Sequence, residues 1–221
     1  MTMPGGGLIA VVGMTREAKI LEGLGFEVVV GGGDGARLKA GLERALALIP
    51  GASVISFGVA GGLSKDVPMG DLIVASAVLC KSDRWSCDGD WVRRLLRANR
   101  GARLGPVAGS DTAVGDVAAK KALWSTTGAL AVDMESHIAA QAAQAAGRPF
   151  AVVRAISDGP DHALPAAALA GLKSDGTADV GAVLTALAAR PQELPALIRT
   201  AQGAAAAYRA LEAVRDRLVA P

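Results

Sequence analysis

Histidine and cysteine are nearly missing from this sequence, which carries two of each: His137, His162, Cys80 and Cys87. A zinc site needs a cluster of such ligands, and a Ser-His-Asp hydrolase needs a histidine set between nucleophile and acid. Neither reading has enough material here. Two cysteines without metal-ligand spacing fit reduced thiols of a cytoplasmic protein. Aromatic residues make up only 3% of the chain, a shortage that matches the Ala-, Gly- and Arg-rich bias of GC-rich coding. Charge of one sign is lacking too: a net charge of +2 gives no footprint for nucleic acid. No run approaches the roughly 20 consecutive apolar residues that a bilayer requires. Met1 to Gly7 has neither the basic segment nor the apolar core of a signal peptide. What remains is 221 residues, 51% hydrophobic and 20% charged, enough for one well-buried domain.

Strand and helix patterns alternate along the chain. Apolar runs over 8–12, 26–30, 53–57, 71–80, 129–132 and 150–158 predict strands. Helical spacing covers 16–24, 36–48, 91–99, 114–124 and 135–146. Glycine-rich Gly58-Val59-Ala60-Gly61-Gly62-Leu63 reads as the loop leaving the third strand. From Ala163 onward the chain is Ala-rich and helical, with Pro191 and Pro195 marking the start of the last long helix. The alternation predicts an α/β fold over residues 1–221, a single domain with a mostly parallel central sheet flanked by helices and a helical tail at about 163–221.

Acids stand at the ends of two of these strands. Phe150-Ala151-Val152-Val153-Arg154-Ala155-Ile156-Ser157-Asp158 is a buried-strand pattern that runs into a carboxyl group, and open α/β sheets place ligands at the carboxyl ends of their strands. Upstream, Val132-Asp133-Met134-Glu135 sets two acids at a strand-to-helix junction. Each has a plainer reading: Asp158 as the cap of a turn at Gly159-Pro160, Glu135 as an acid in a first helical turn, Met134 as core.

Taken together and in this order, the V-x-M-E and R-A-I-S-D segments resemble those of the nucleoside phosphorylase and nucleosidase superfamily. The resemblance implies a three-layer sandwich fold and cleavage of a purine N-glycosidic bond, in an enzyme that works as a homo-oligomer, a dimer or larger. It gives Asp158 the role of general acid toward the departing base, its carboxyl kept protonated by burial. Glu135 would accept hydrogen bonds from both ribose hydroxyls, with Met134 against the sugar and Asp133 and Ser157 beside the substrate. Val59, Ala60 and Gly61 correspond to the glycine-rich loop near base and sugar, and Asp111-Thr112-Ala113-Val114 to the segment flanking the purine. Glu17, in Gly13-Met14-Thr15-Arg16-Glu17-Ala18-Lys19, matches the glutamate that activates water in the nucleosidases. The phosphorylases carry an arginine in that region, so Gly13, Arg16 and Arg37 are candidates for binding phosphate as a cosubstrate. Asp34 would repel that anion, and the balance leans to hydrolysis. Relatives have a serine where Val59 stands, so one contact to the nucleophile is missing. No metal or organic cofactor is implied.

The short segment before Gly31 and the stretch Lys81–Trp91 look most like the hopanoid-associated phosphorylases, which release adenine from adenosylhopane. A nucleoside with such a hydrocarbon 5′ substituent would need a greasy groove and bring a soluble enzyme to the membrane surface. Leu79, Trp85, Trp91 and Leu95 are candidates to line it; the two tryptophans fit core packing equally. A methylthioadenosine, adenosylhomocysteine or futalosine nucleosidase is the alternative enzyme, and an inactive nucleoside-binding module the non-enzyme alternative.

Overall fold

The computed structural model describes residues 6–171, 173 and 175–218, so residues 1–5, 172, 174 and 219–221 of the expected domain and tail lie outside the described residues. The strands are β1 (Leu8–Val12), β2 (Phe26–Val30), β3 (Ser53–Gly62), β4 (Leu72–Cys80), β5 (Asp83–Ser86), β6 (Arg103–Gly109), β7 (Ala131–Asp133) and β8 (Phe150–Asp158). The helices are α1 (Thr15–Ile20), α2 (Gly35–Leu48), α3 (Gly89–Ala98), α4 (Val117–Thr127), α5 (Ser136–Ala145), α6 (Ala166–Ala170), α7 (Val180–Ala189) and α8 (Leu194–Val214). One sheet holds all eight strands in the order β2-β1-β3-β7-β6-β4-β5. Strand β8 pairs with both β3 and β4, which closes a ring of β3, β7, β6, β4 and β8. Pairing is parallel between β1 and β2, β1 and β3, β3 and β8, β4 and β6, and β6 and β7. It is antiparallel between β3 and β7, β4 and β5, and β4 and β8. The sheet is thus mostly parallel but mixed.

Helices cover both faces, as the continuous apolar strands require. Ile9, Ala10, Val11 and Val12 are all fully buried, as are Val54, Ile55 and Phe57 on β3. Helices α2 and α5 pack together against the sheet, and α8 lies along β8 with α1 beside it. Gly203 lets α8 approach: a Cβ there would fall 2.0 Å from the Ser157 carbonyl oxygen.

Two expected boundaries move and strand β6 is additional to the expectation, each for a local reason. Gly58 to Gly62 is strand rather than loop, because β3 runs on to pair with β8 and then with β7 through Gly61 and Gly62. Strand β6 was not legible, since Arg103, Gly105 and Pro106 break its apolar pattern. Helix α4 starts at Val117 rather than 114, where the Asp116 carboxylate accepts the Ala119 N–H at 2.9 Å.

Gly203→Ala forces α8 away from β8 and is expected to cost about 1–3 kcal/mol. Urea unfolding should show a lower midpoint with an unchanged slope; an unaltered midpoint would mean that the helix can shift without cost.

Candidate active site

Glu17 is folded back over the turn that follows β1. Its Oε2 accepts the N–H groups of Gly13 and Met14, both at 2.8 Å, and its Oε1 accepts that of Val59 at 2.8 Å. Only 2% of the residue is exposed. Burial raises the Glu17 pKa above the ordinary glutamate value, against the Arg154 charge and these three N–H bonds. A glutamate that is fixed in place and more basic than usual suits proton abstraction near neutral pH. Gly58 makes room for it, since a Cβ there would lie 2.4 Å from Glu17 Oε1. Val59 has no hydroxyl to offer, and it meets Glu17 through its backbone N–H.

Behind this turn lies Arg154, fully buried in the middle of β8. Its Nε donates to Asp133 Oδ2 at 2.9 Å, and its Nη2 to the hydroxyls of Ser56 at 2.7 Å and Ser136 at 3.1 Å. Its Nη1 is buried with no hydrogen-bond partner among the described residues. Burial disfavours charge on Asp133, but the Arg154 guanidinium and the Ser136 hydroxyl and N–H outweigh it and hold that carboxyl below its usual range. Asp133 also caps α5, taking the N–H groups of Glu135 at 2.8 Å and Ser136 at 2.6 Å on Oδ1.

That cap leaves the Glu135 side chain free of capping duty. Although Glu135 occupies the N-cap position, its carboxyl makes no cap bond. It reaches toward Arg154 Nη2, 3.7 Å away, and stands so close to the backbone after β1 that a Cβ on Gly13 would lie 2.8 Å from its Oε1. Burial pushes the Glu135 pKa up to about 8; repulsion from Asp133 and Glu17 adds to this and Arg154 opposes it. Met134 projects near Gly33, where a Cβ would be 3.6 Å from the Met134 Cε.

Asp158 ends β8 beside these groups but has its own partners. Its Oδ1 accepts the Ser157 hydroxyl at 2.6 Å, and its Oδ2 is in contact with the Lys120 ammonium. The carboxyl is not alone in its burial: the Lys120 side chain, itself fully buried, stands against Oδ2. Nor does Asp158 cap the following turn, where the Gly159 N–H goes to His162 Nδ1 at 3.3 Å. The Ser157 hydroxyl also lies 3.2 Å from the Ala60 carbonyl, and Gly61 passes so close that a Cβ would sit 3.2 Å from Asp158 Oδ2. Asp158 and Ser157 face a cavity of about 210 Å³ that is shared with Met69, Asp161, His162 and Arg199.

The remaining candidates are less tightly gathered. Val114 is half-buried against a small apolar cluster of Leu63, Ala108, Ala129 and Val132. Asp111 is exposed and pairs with Lys81 at 3.2 Å and His137 at 3.1 Å. Arg16 lies 4.0 Å over the ring of Tyr208. Arg37 is exposed on α2, and the Asp34 carboxylate occupies the N-terminus of that helix by accepting the Arg37 N–H at 3.0 Å. The proposed hydrocarbon groove is corrected: Trp91 and Leu95 are core residues, 2% and 1% exposed. Trp85 lines a separate cavity with Arg148 and Phe150, at the far end of β8, about 26 Å from Asp158 by strand rise. Sequence reasoning did not single out Arg154 as a site residue, nor Ser56, Ser136 or Lys120. An arginine inside an apolar strand was a readable signal, since buried arginines are paired. Lys120 shares the apolar stripe of Val117 and Leu123, a much fainter one.

Among the described residues, no group of three or more His, Cys, Asp or Glu side chains could hold a metal ion. The profile of the phosphorylase superfamily matches residues 28–199. No curated protein matches the sequence significantly. A mutant of the Helicobacter pylori nucleosidase MTAN, solved with 5′-methylthioadenosine in its active site, is similar over 96% of this chain and 99% of its own, with a TM-score of 0.65 and 18% identity. The Neisseria meningitidis 5′-methylthioadenosine/S-adenosylhomocysteine nucleosidase, in complex with methylthio-immucillin-A, covers 95% and 99% at a TM-score of 0.63 and 18% identity. A Helicobacter pylori futalosine hydrolase mutant covers 68% and 90% at a TM-score of 0.58 and 21% identity. At these identities the likeness is one of fold.

The raised Glu135 pKa has a consequence for stability. The folded protein binds this proton more tightly than the unfolded chain, so the contribution is full below the ordinary glutamate range and is lost as pH rises through about 8. Glu135→Gln should therefore melt higher than the native protein at pH 9, with the difference shrinking toward pH 5. Equal melting curves at both pH values would show that Glu135 is not desolvated.

Proposed function

This chain belongs to the phosphorylase superfamily, and on that premise we propose that it hydrolyses the N-glycosidic bond of a purine nucleoside. The observation that carries this reading is the Glu17 carboxyl, oriented by three backbone N–H groups and set with Glu135 and Asp158 at one end of the sheet. Glu17 takes a proton from water, whose oxygen attacks the anomeric carbon. The unpartnered Nη1 of Arg154 is a donor for that water. Glu135 receives the ribose hydroxyls, and the carboxyl groups around the sugar stabilise the positive charge that develops on it. Asp158 delivers a proton to the purine as the bond breaks.

Water is favoured over phosphate by charge. Glu17, Glu135 and Asp133 surround the Arg154 guanidinium, whose Nε is already paired with Asp133. A phosphate anion would meet a guanidinium whose charge Asp133 already balances, ringed by two further carboxyl groups. Arg16, the nearest alternative on α1, is stacked on Tyr208.

The substrate we favour is an adenosine with a large apolar 5′ substituent, adenosylhopane being the form suggested by the sequence resemblance. Exposed apolar side chains support it: Leu169, Val180, Leu184, Leu194 and Ile198 are all on α6, α7 and α8, and α7 buries none of its residues. Such a surface suits contact with a lipid substrate at a membrane face. Among the described residues no helix is long and apolar enough to cross a membrane. A second reading, a small 5′-thioether as in methylthioadenosine, is favoured by the ligands held in the similar structures.

Purified protein should release adenine and the free sugar from adenosylhopane in detergent without phosphate. A sugar phosphate formed only in the presence of phosphate would replace hydrolysis by phosphorolysis; turnover of methylthioadenosine alone would select the second substrate. Asp158→Asn should lower kcat by about 10²–10⁴-fold in protein shown to be folded by circular dichroism. Near-native turnover in this variant would remove the acid from its assigned role.

A further inference from the structure

The acid that faces the departing base is backed by a lysine that the reaction as described does not use. Lys120, on α4, is fully buried. Its Nζ contacts Asp158 Oδ2 and donates to the carbonyl oxygens of Gly159 at 3.0 Å and His162 at 2.9 Å. Three acceptors meet three N–H bonds, the number an ammonium carries and one more than a neutral amine. The protein thus holds a proton on Lys120, one hydrogen bond behind the carboxyl group that lines the cavity. Asp158 itself has Ser157 on its other oxygen, and among the described residues no other cationic side chain is paired with it.

We propose that Lys120 is the proton source behind Asp158, positioned to recharge it as the purine leaves. This inference rests on the proposed nucleoside hydrolysis. When the glycosidic bond breaks, its electron pair stays with the purine nitrogen. An N–H bond of Lys120 breaks as its proton moves to the Asp158 carboxylate, and the O–H bond so formed breaks in turn as the proton passes to the purine nitrogen. The site is then left with a neutral amine beside a carboxylate, one proton fewer than the ammonium–carboxylate pair from which it began. The proton that Glu17 took from water returns to the pair through solvent and closes the cycle. A purine anion and a primary amine are of similar basicity, so the transfer is close to balanced, whereas a bare carboxylic acid is a much stronger acid than the leaving base needs. The other charged groups near the pair are Asp161, which is held by Lys65 at 3.3 Å, His162 and Arg199, all on the cavity side.

The test uses the nucleoside that the native protein cleaves, with Lys120→Met, Lys120→Arg and, as a control on the same helix, the exposed Lys121→Met. Both Lys120 variants are expected to lose at least about 100-fold in kcat with KM within about three-fold, because arginine keeps the charge but does not release a proton. The alkaline limb of the kcat–pH profile should move to lower pH in Lys120→Met. Circular dichroism and thermal melting identify any variant that fails to fold. Lys120→Arg supplies the folded comparison if Lys120→Met does not. Activity of Lys120→Arg within three-fold of native would show that charge alone is needed and would overturn the relay. Native activity and pH profile in Lys120→Met would overturn it as well. If the native protein releases purine from no nucleoside, the hydrolase reading fails and the relay with it. In that case ¹⁵N-lysine resonances still report the pairing: the Lys120 Nζ resonance should move in Asp158→Asn, and an unmoved resonance would show that the two groups are not in contact.

Discussion

The buried guanidinium of Arg154 is the constraint around which the rest of the site is arranged. A cation in the middle of a covered strand is tolerable only when paired and hydrogen-bonded. The chain meets that demand from three other elements: Asp133 at the end of β7, Ser136 in α5 and Ser56 in β3. Those same bonds fix where β7 stops and α5 begins, because Asp133 uses its second oxygen to cap the helix. Glu135, displaced from capping, is turned toward the cation and the turn after β1. One buried charge therefore joins β3, β7, β8 and α5, and sets the carboxyl group that faces the sugar in the proposed reaction.

Asp158 is only four residues further along β8, and on a regular strand it would share a face with Arg154. It does not share partners, because the ladder slips. Ala60 pairs with Ile156, but Gly61 pairs with Asp158, so Ser157 is an extra residue in β8. A bulge of this kind redirects the side chains that follow it. Arg154 is left among the carboxyl groups of the sugar end, and Asp158 is turned to Lys120 and the cavity. Gly61 and Gly62 are needed at the slip, since a Cβ at either would press on Asp158. The glycines that read as a loop in the sequence are thus strand residues kept small by a neighbouring acid.

Much of the fold was legible because its strands are apolar runs and its helices amphipathic. β6 was hidden by Arg103, Gly105 and Pro106, whose pattern belongs to no single period. Within the site, the acids at Glu17, Glu135 and Asp158 could be picked out by position at strand ends and by resemblance. Of their partners, only Arg154 stands out, as an arginine inside an apolar strand. Lys120 is separated from Asp158 by 38 residues, and only its place on the stripe of Val117 and Leu123 distinguishes it from Lys121, which is exposed on the same helix. The Glu17 N–H donors are backbone groups, which no sequence pattern reveals. Trp91 failed as a groove residue for the opposite reason: its size and apolarity are equally suited to the core, where Leu95 and Val92 also pack.

The two ends of the site handle protons under opposite electrostatic conditions. At the sugar end of the proposed reaction, three acids gather about one arginine; burial keeps Glu17 and Glu135 basic, and repulsion from Asp133 and Glu17 adds to this at Glu135. A base that must take a proton from water, beside a sugar becoming cationic, gains from that excess of negative charge. At the purine end of the proposed reaction, Asp158 meets a single buried ammonium, and the pair gives up one proton to the base and regains it from solvent. An anionic nucleophile would disturb the first arrangement and a lone carboxylic acid would lack the second. The pairing of acids with Arg154 on one side and Lys120 on the other thus fits a neutral nucleophile and a leaving group that departs with its electron pair, which is the chemistry of nucleoside hydrolysis.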